Sequence, residues 1–205
     1  MDIKLNLINR SNDTNNSEIV IFQKNLSTDF DEMAVAWQVI RYLGQGDNHP
    51  FVYPMATTIA ASDSWGNYTP QLPAENGQLF SMVLTPSGDE LKLQGPASSP
   101  SEVQCRNDLA SGAISAGLYK SGKLLLIKTG IAPGQKAVFS FKPTLFIGVV
   151  SQVEEGEVMN SAILSDINTE LSLLGIQSAD IVMTGGGAGP QATPFEFTLE
   201  NVVMG

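Results

Sequence analysis

AISAGLYKSGKLLLIKT, residues 113–129, is the stretch that decides the fold. Two runs rich in apolar and β-forming residues, 113–119 and 124–129, flank Lys120-Ser121-Gly122-Lys123. A short polar turn carrying Gly between two such runs predicts a tight hairpin, with the Gly at positive φ. Downstream, Pro133-Gly134 turns the chain into a strand over 136–142. Pro143 breaks that strand before another over 144–152. Further strands are expected at 169–174, 179–184 and 194–203. The Gly-rich segment 185–190 joins the last two, either as a flexible connection or where another backbone approaches closely.

Upstream the period is again two. Ile3, Leu5 and Leu7 alternate with polar neighbours. The Asn/Ser/Asp cluster 9–17 predicts a turn whose Asx side chains bond their own backbone. Residues 18–24 then read as a second strand closing an antiparallel pair with the first. Strands are also expected at 78–85, 90–94 and 102–106. Residues 28–43 carry both periods. Phe30, Met33, Trp37 and Ile40 have helical spacing, whereas Met33, Val35, Trp37 and Val39 share one face of a strand. Their β-forming side chains favour a strand beginning near Met33. Residues 160–168 fit one helical turn or irregular chain. The sum is an all-β protein, an antiparallel β-sandwich of about a dozen strands with at most one or two short helices, in a single domain over 1–205. A closed barrel is the alternative, disfavoured by variable strand lengths and by expected long loops at 44–50 and 65–77.

The order of these features resembles an uncharacterised group of small all-β proteins. An opening strand ends in the Asn/Ser turn 9–17. Ile19-Val20-Ile21-Phe22-Gln23, Ala36-Trp37, Leu118-Tyr119 and Pro143-Thr144-Leu145-Phe146-Ile147-Gly148 follow. The resemblance implies an all-β fold and no activity or site.

Charge is segregated along the chain. Residues 109–153 contain no Asp or Glu but five lysines, Lys120, Lys123, Lys128, Lys136 and Lys142. After Lys142 no basic residue occurs, while Glu154, Glu155, Glu157, Asp166, Glu170, Asp180, Glu196 and Glu200 follow. Unlike charge on two surfaces steers association with another copy or with a partner. The net charge of −10 argues against nucleic acid as that partner. Hydrophobic content of 42% against 16% charged leaves neutral surface suited to contact with another chain.

Candidates for chemistry are few. One cysteine, Cys105, excludes an intrachain disulfide and a cysteine-only zinc site. It is a packing residue unless neighbouring Arg106 activates its thiolate. His49, the only histidine, lies in a turn-like context and has no triad or zinc spacing around it. The Gly-rich segment 185–189 lacks the Lys-Ser/Thr of a phosphate loop. Asp29 with Asp31, Glu154 with Glu155 and Glu157, and Asn12 with Asp13 and Asn15 read as solvated loops, since no calcium-loop spacing is present. No cofactor and no metal are expected. His49, Phe51, Tyr53, Trp65 and Tyr68 fall within twenty residues that lack Lys and Arg. They form either a ligand platform or a plug at the end of the sandwich or in a subunit contact. The first residues show no signal-peptide core and no apolar run has membrane-spanning length. The cytoplasm is therefore the default location, with leaderless export as the other route.

These features predict a non-enzymatic building block that associates with other copies of itself, head to tail, as in a filament. Lys120, Lys123, Lys128, Lys136 and Lys142 form its basic side; Glu154, Glu155, Glu157, Glu196 and Glu200 form its acidic side. The alternative is a glycan- or membrane-binding sandwich, lytic in one version, using His49, Phe51, Tyr53, Trp65 and Tyr68. A hydrolase built on His49 and carboxylates ranks third.

Overall fold

The computed structural model describes residues 2–27, 34–167 and 169–205. In chain order the strands are β1 (Ile3–Asn9), β2 (Glu18–Phe22), β3 (Gln38–Ile40), β4 (Asn48–Tyr53), β5 (Thr57–Ser62), β6 (Leu72–Ala74), β7 (Gln78–Thr85) and β8 (Gly88–Pro96). There follow β9 (Val103–Asn107), β10 (Ile114–Lys120), β11 (Lys123–Ile131), β12 (Lys136–Phe139), β13 (Thr144–Val150), β14 (Thr169–Ser172), β15 (Ile176–Gly186) and β16 (Thr193–Met204). One α-helix, α1 (Ser161–Asp166), interrupts them. The fold is all-β and sandwich-like, built from four sheets of four strands each.

The strands gather into two compact units. The first comprises residues 1–23, 34–55 and 143–205; the second comprises 24–33 and 56–142. The first unit holds sheets ordered β16-β15-β1-β4 and β14-β13-β2-β3. The second holds β11-β10-β5-β6 and β12-β9-β7-β8. Each unit contains one parallel pair, β1 with β15 and β7 with β9; all its other ladders are antiparallel.

Alternation explains β1, in the β16-β15-β1-β4 sheet of the first unit. Ile3, Leu5 and Leu7 of β1 are buried, while the residues between them are exposed or half-buried. The strand β2 differs, because Ile19, Val20, Ile21 and Phe22 are all buried, on both faces. Val20 and Phe22 join Ala34, Ala36, Val153, Met159 and Ile167 in one cluster, and Phe22 stacks on Phe146 with centroids 5.4 Å apart. Each such large side chain, fully buried, contributes roughly 1.5–3 kcal/mol.

Two expectations are revised. First, β1 and β2 do not pair. They lie in different sheets, because the 9–17 turn is an arch rather than a hairpin. Its Asx bonding is as expected: Asn9 Oδ1 accepts from Ser11 N at 2.9 Å, and Asp13 accepts from Asn15 N and Ser17 N at 2.9 and 2.7 Å. Second, the strand count rises above a dozen, since β4 and β6 reach into the loops expected at 44–50 and 65–77 and β5 lies between them. Within 28–43 the described part is extended, as the β-forming side chains favour: Val35 bridges Val158 and β3 pairs with β2. The part at 28–33 lies outside the described residues. Within 160–168, Ser161–Asp166 forms α1, capped by the Asn160 side chain, which accepts from Ile163 N at 3.0 Å.

Candidate functional site

The hairpin that opens the sequence argument is β10–β11, in the second unit. Lys120 and Lys123 are its last cross-strand pair, closed by Ser121 (φ 51°) and Gly122 (φ 75°). Positive φ at both central residues is the twist-matched two-residue turn that Gly permits. Lys120 is not a solvated tip residue. It continues the face of Ile114, Ala116 and Leu118, and is only 2% exposed. Its Nζ lies 5.7 Å from the Phe141 ring centroid. It is therefore removed from the basic surface. Lys123 and Lys128 are half-buried, and Lys136 and Lys142 are exposed. Lys136 Nζ donates to Ser98 Oγ at 3.1 Å and to Gln104 Oε1 at 3.0 Å.

The eight acidic residues that follow Lys142 all fall in the first unit. That unit has twelve Asp and Glu against three Lys and Arg, whereas the second has nine against eight. Among the described residues three of its carboxylates have a basic partner within the unit: Glu200 pairs with Arg10 at 2.9 Å, and Arg41 pairs with both Glu18 at 3.0 Å and Glu154 at 3.4 Å. Glu155 accepts from Val39 N at 3.4 Å, and Glu157 from Glu154 N at 2.9 Å. Glu154, Glu155, Glu157 and Glu196 are exposed.

The five candidate aromatic-region residues are divided between the units. His49, Phe51 and Tyr53 belong to β4 in the first unit and pair with Leu7, Leu5 and Ile3 of β1. They share that buried face. Tyr53 is buried, packs edge-on to Trp37 at 5.6 Å, and its Oη accepts from Gln23 Nε2 at 2.9 Å. Burial pushes its phenol up to about 12, against the hydrogen bond from Gln23. For Tyr53 the plug reading fits the geometry. His49 is half-buried, 3.4 Å from Gln38 Nε2; among the described residues no carboxylate bonds it.

Trp65 and Tyr68, in the second unit, are 88% and 67% exposed. They sit on a stiff turn after β5. Asp63 Oδ1 accepts from Trp65 N and Asn67 N at 2.8 and 2.9 Å, and Oδ2 accepts from Asn67 Nδ2 at 2.7 Å. The Asn67 side chain first, then its backbone N–H, holds the Asp63 carboxyl below its usual range. Ser62 bridges Tyr68, and Thr69 Oγ1 accepts from Ala61 N at 3.0 Å. Asp63, Asn67, Tyr68, Thr69, Met82 and Asp89 line an open cavity of about 200 Å³. Sequence reasoning found the aromatics but not Asp89, which comes from the start of β8, where it pairs with Leu84 of β7.

Cys105 is buried in β9, and burial, followed by the Asp108 charge, pushes its thiol up to about 12. Arg106 does not activate it: the guanidinium is turned to Asp108 at 2.6 and 2.8 Å. Asp29 and Asp31 lie outside the described residues. Among the described residues no three His, Cys, Asp or Glu side chains gather to hold a metal ion, and no helix is long and apolar enough to cross a membrane. No family model, curated protein or solved structure matches the chain.

Proposed function

We propose that the protein is a non-enzymatic β-building block that associates with further copies of itself. The observation that carries this reading is the partition of charge. All five lysines of the acid-free block belong to one compact unit, and all eight acids that follow belong to the other. Contacts between unlike surfaces are heterologous, and repeated heterologous contacts give rings or open filaments. The basic surface is Lys123, Lys128, Lys136 and Lys142; the acidic surface centres on Glu155, Glu157 and Glu196. The twelve-residue edge strand β16 of the first unit, with Val202, Val203 and Met204 exposed, offers main-chain groups for strand addition. The cytoplasm is the compartment this reading adopts.

Sedimentation velocity at low salt and at about 0.5 M salt tests it, since surface pairs are screened over a few ångströms at that ionic strength. Large species at low salt, shrinking at high salt, are expected. The double variants Lys136→Glu/Lys142→Glu and Glu157→Lys/Glu196→Lys should each be monomeric alone and associate when mixed. A wild-type monomer at high concentration and low salt overturns the proposal.

A further inference from the structure

The turn after β5 does work that the charge partition leaves unexplained. An 88% exposed Trp65 and a 67% exposed Tyr68 are large apolar groups left in water. The turn presenting them is immobilised by three bonds to one carboxylate. Ordering exposed aromatics costs entropy and gains no burial in the free chain, so the gain has to come from what covers them.

The chemistry around the turn narrows the occupant. The cavity wall presents two carboxylates, Asp63 and Asp89, with the amide of Asn67 and the hydroxyls of Tyr68 and Thr69, over the buried side chain of Met82. An ionised carboxylate only accepts hydrogen bonds, so it calls for O–H or N–H donors. Asp63 accepts three hydrogen bonds within the turn, and the Gly66 N–H also favours its charged form, so Asp89 is the carboxylate less engaged by the turn itself. No Lys or Arg lines the cavity. A phosphate or anionic lipid headgroup would meet like charge, and an acyl chain would leave carboxylates desolvated and unpaired. A ligand with many hydroxyl donors on one side and a C–H face on the other satisfies both halves. The slightly positive C–H groups lie against the negative faces of the indole and phenol rings. The volume of about 200 Å³ is smaller than the roughly 300–1,000 Å³ of drug-sized pockets, a size for a single ring.

We infer that the cavity lined by Asp63, Asn67, Tyr68, Thr69 and Asp89 is a binding site for a neutral saccharide, one pyranose ring lying against Tyr68 with its hydroxyls donating to the carboxylates, and that Trp65, which does not line the cavity but is exposed on the same turn, covers the ring from outside it. The site does not depend on self-association. Its test uses the full chain and a panel of neutral methyl glycosides (glucoside, galactoside, mannoside, N-acetylglucosaminide), read by saturation-transfer NMR and by tryptophan fluorescence. Trp37 is buried, so a ligand-induced emission change reports Trp65. At least one glycoside should bind at millimolar Kd. Trp65→Ala and Asp89→Asn should each weaken it at least ten-fold with an unchanged circular dichroism spectrum. Three results overturn the inference: no response to any glycoside, binding that survives Trp65→Ala, or Trp65 protected by phosphatidylserine vesicles or by a second copy of the chain but by no saccharide.

Discussion

Lys120 Nζ stands 5.7 Å from the centroid of the Phe141 ring, on a side chain that is almost wholly withdrawn from water. A desolvated cation over an aromatic face is worth about 0.5–2 kcal/mol. Phe141→Leu should lower stability by about that amount in urea denaturation. Lys120→Glu should cost more, about 3–5 kcal/mol, because it buries a charge of the wrong sign beside the ring's negative face. Lys120→Met, close in volume, should leave the salt-dependent sedimentation unchanged, whereas Lys142→Glu should alter it.

Cys105 should be inert in the native state. Its thiol is pushed up to about 12, chiefly by burial and further by Asp108. Iodoacetamide at pH 8 should leave it unmodified until the chain is unfolded. The same shift sets an alkaline limit. The ordinary thiol value is 9.0, and the folded value lies above it, so the folded state holds the proton more tightly. That contribution is complete below pH 9 and is lost as pH rises from about 9 to about 12. Tyr53 adds to the loss between about 10 and 12. Chemical denaturation as a function of pH should show the decline, and Cys105→Ala should reduce it.

The strands that were legible are those with one wet face. In β1 and in β10 the apolar residues recur at every second position, and the hairpin turn is spelled out by Ser121-Gly122. Residues 34–37 were ambiguous because Ala34, Val35, Ala36 and Trp37 are all buried, which erases the alternation that separates strand from helix. The pairing of β1 with β15 and β4 was invisible, since strand partners far apart in sequence leave no local signature. The two units leave no linker in the sequence because the chain passes from one to the other and back twice. The position of Lys120 was readable: Ile114, Ala116, Leu118 and Lys120 share one strand face, and the period carries the lysine inward. The same rule turns His49, Phe51 and Tyr53 toward the face of Leu7, Leu5 and Ile3. What no period could supply is the meeting of Asp63 with Asp89, which depends on how two sheets approach.

Gly185, near the end of β15, is expected to be irreplaceable, unlike Gly189 beyond that strand. Its φ is +83°, and an added Cβ would run into the carbonyl of Pro194. This is the close backbone approach that the Gly-rich segment suggested, and Asn12 N donates to Gly185 O at 2.7 Å on the other side. Gly185→Ala should therefore either prevent folding or lower the denaturation midpoint severely. Gly189 has φ +69° with open space around its Cβ position. Gly189→Ala should cost only the left-handed backbone term, about 1–2 kcal/mol. Equal losses for the two variants would contradict the packing described.

Acid should loosen the arch between β1 and β2 before it touches the sandwich cores. Burial raises the Asp13 carboxyl, but the N–H groups of Asn15 and Ser17 outweigh it and hold the group below its ordinary 3.8. The folded state thus favours the charged form. Its contribution is complete above the unfolded value and disappears as pH falls through the lower folded value. Hydrogen bonds to a charged acceptor are worth about 1.5–3 kcal/mol. Asp13→Ala should cost about 2 kcal/mol at pH 7 and flatten the dependence of stability on pH below about 4. Hydrogen exchange gives the local readout: the amides of Asn15 and Ser17 should be protected at pH 7 and lose that protection in the variant. A variant as protected as the parent would show that the arch is held by Asn9 and Ser11 alone, whose bonds at 2.9 and 2.6 Å do not titrate.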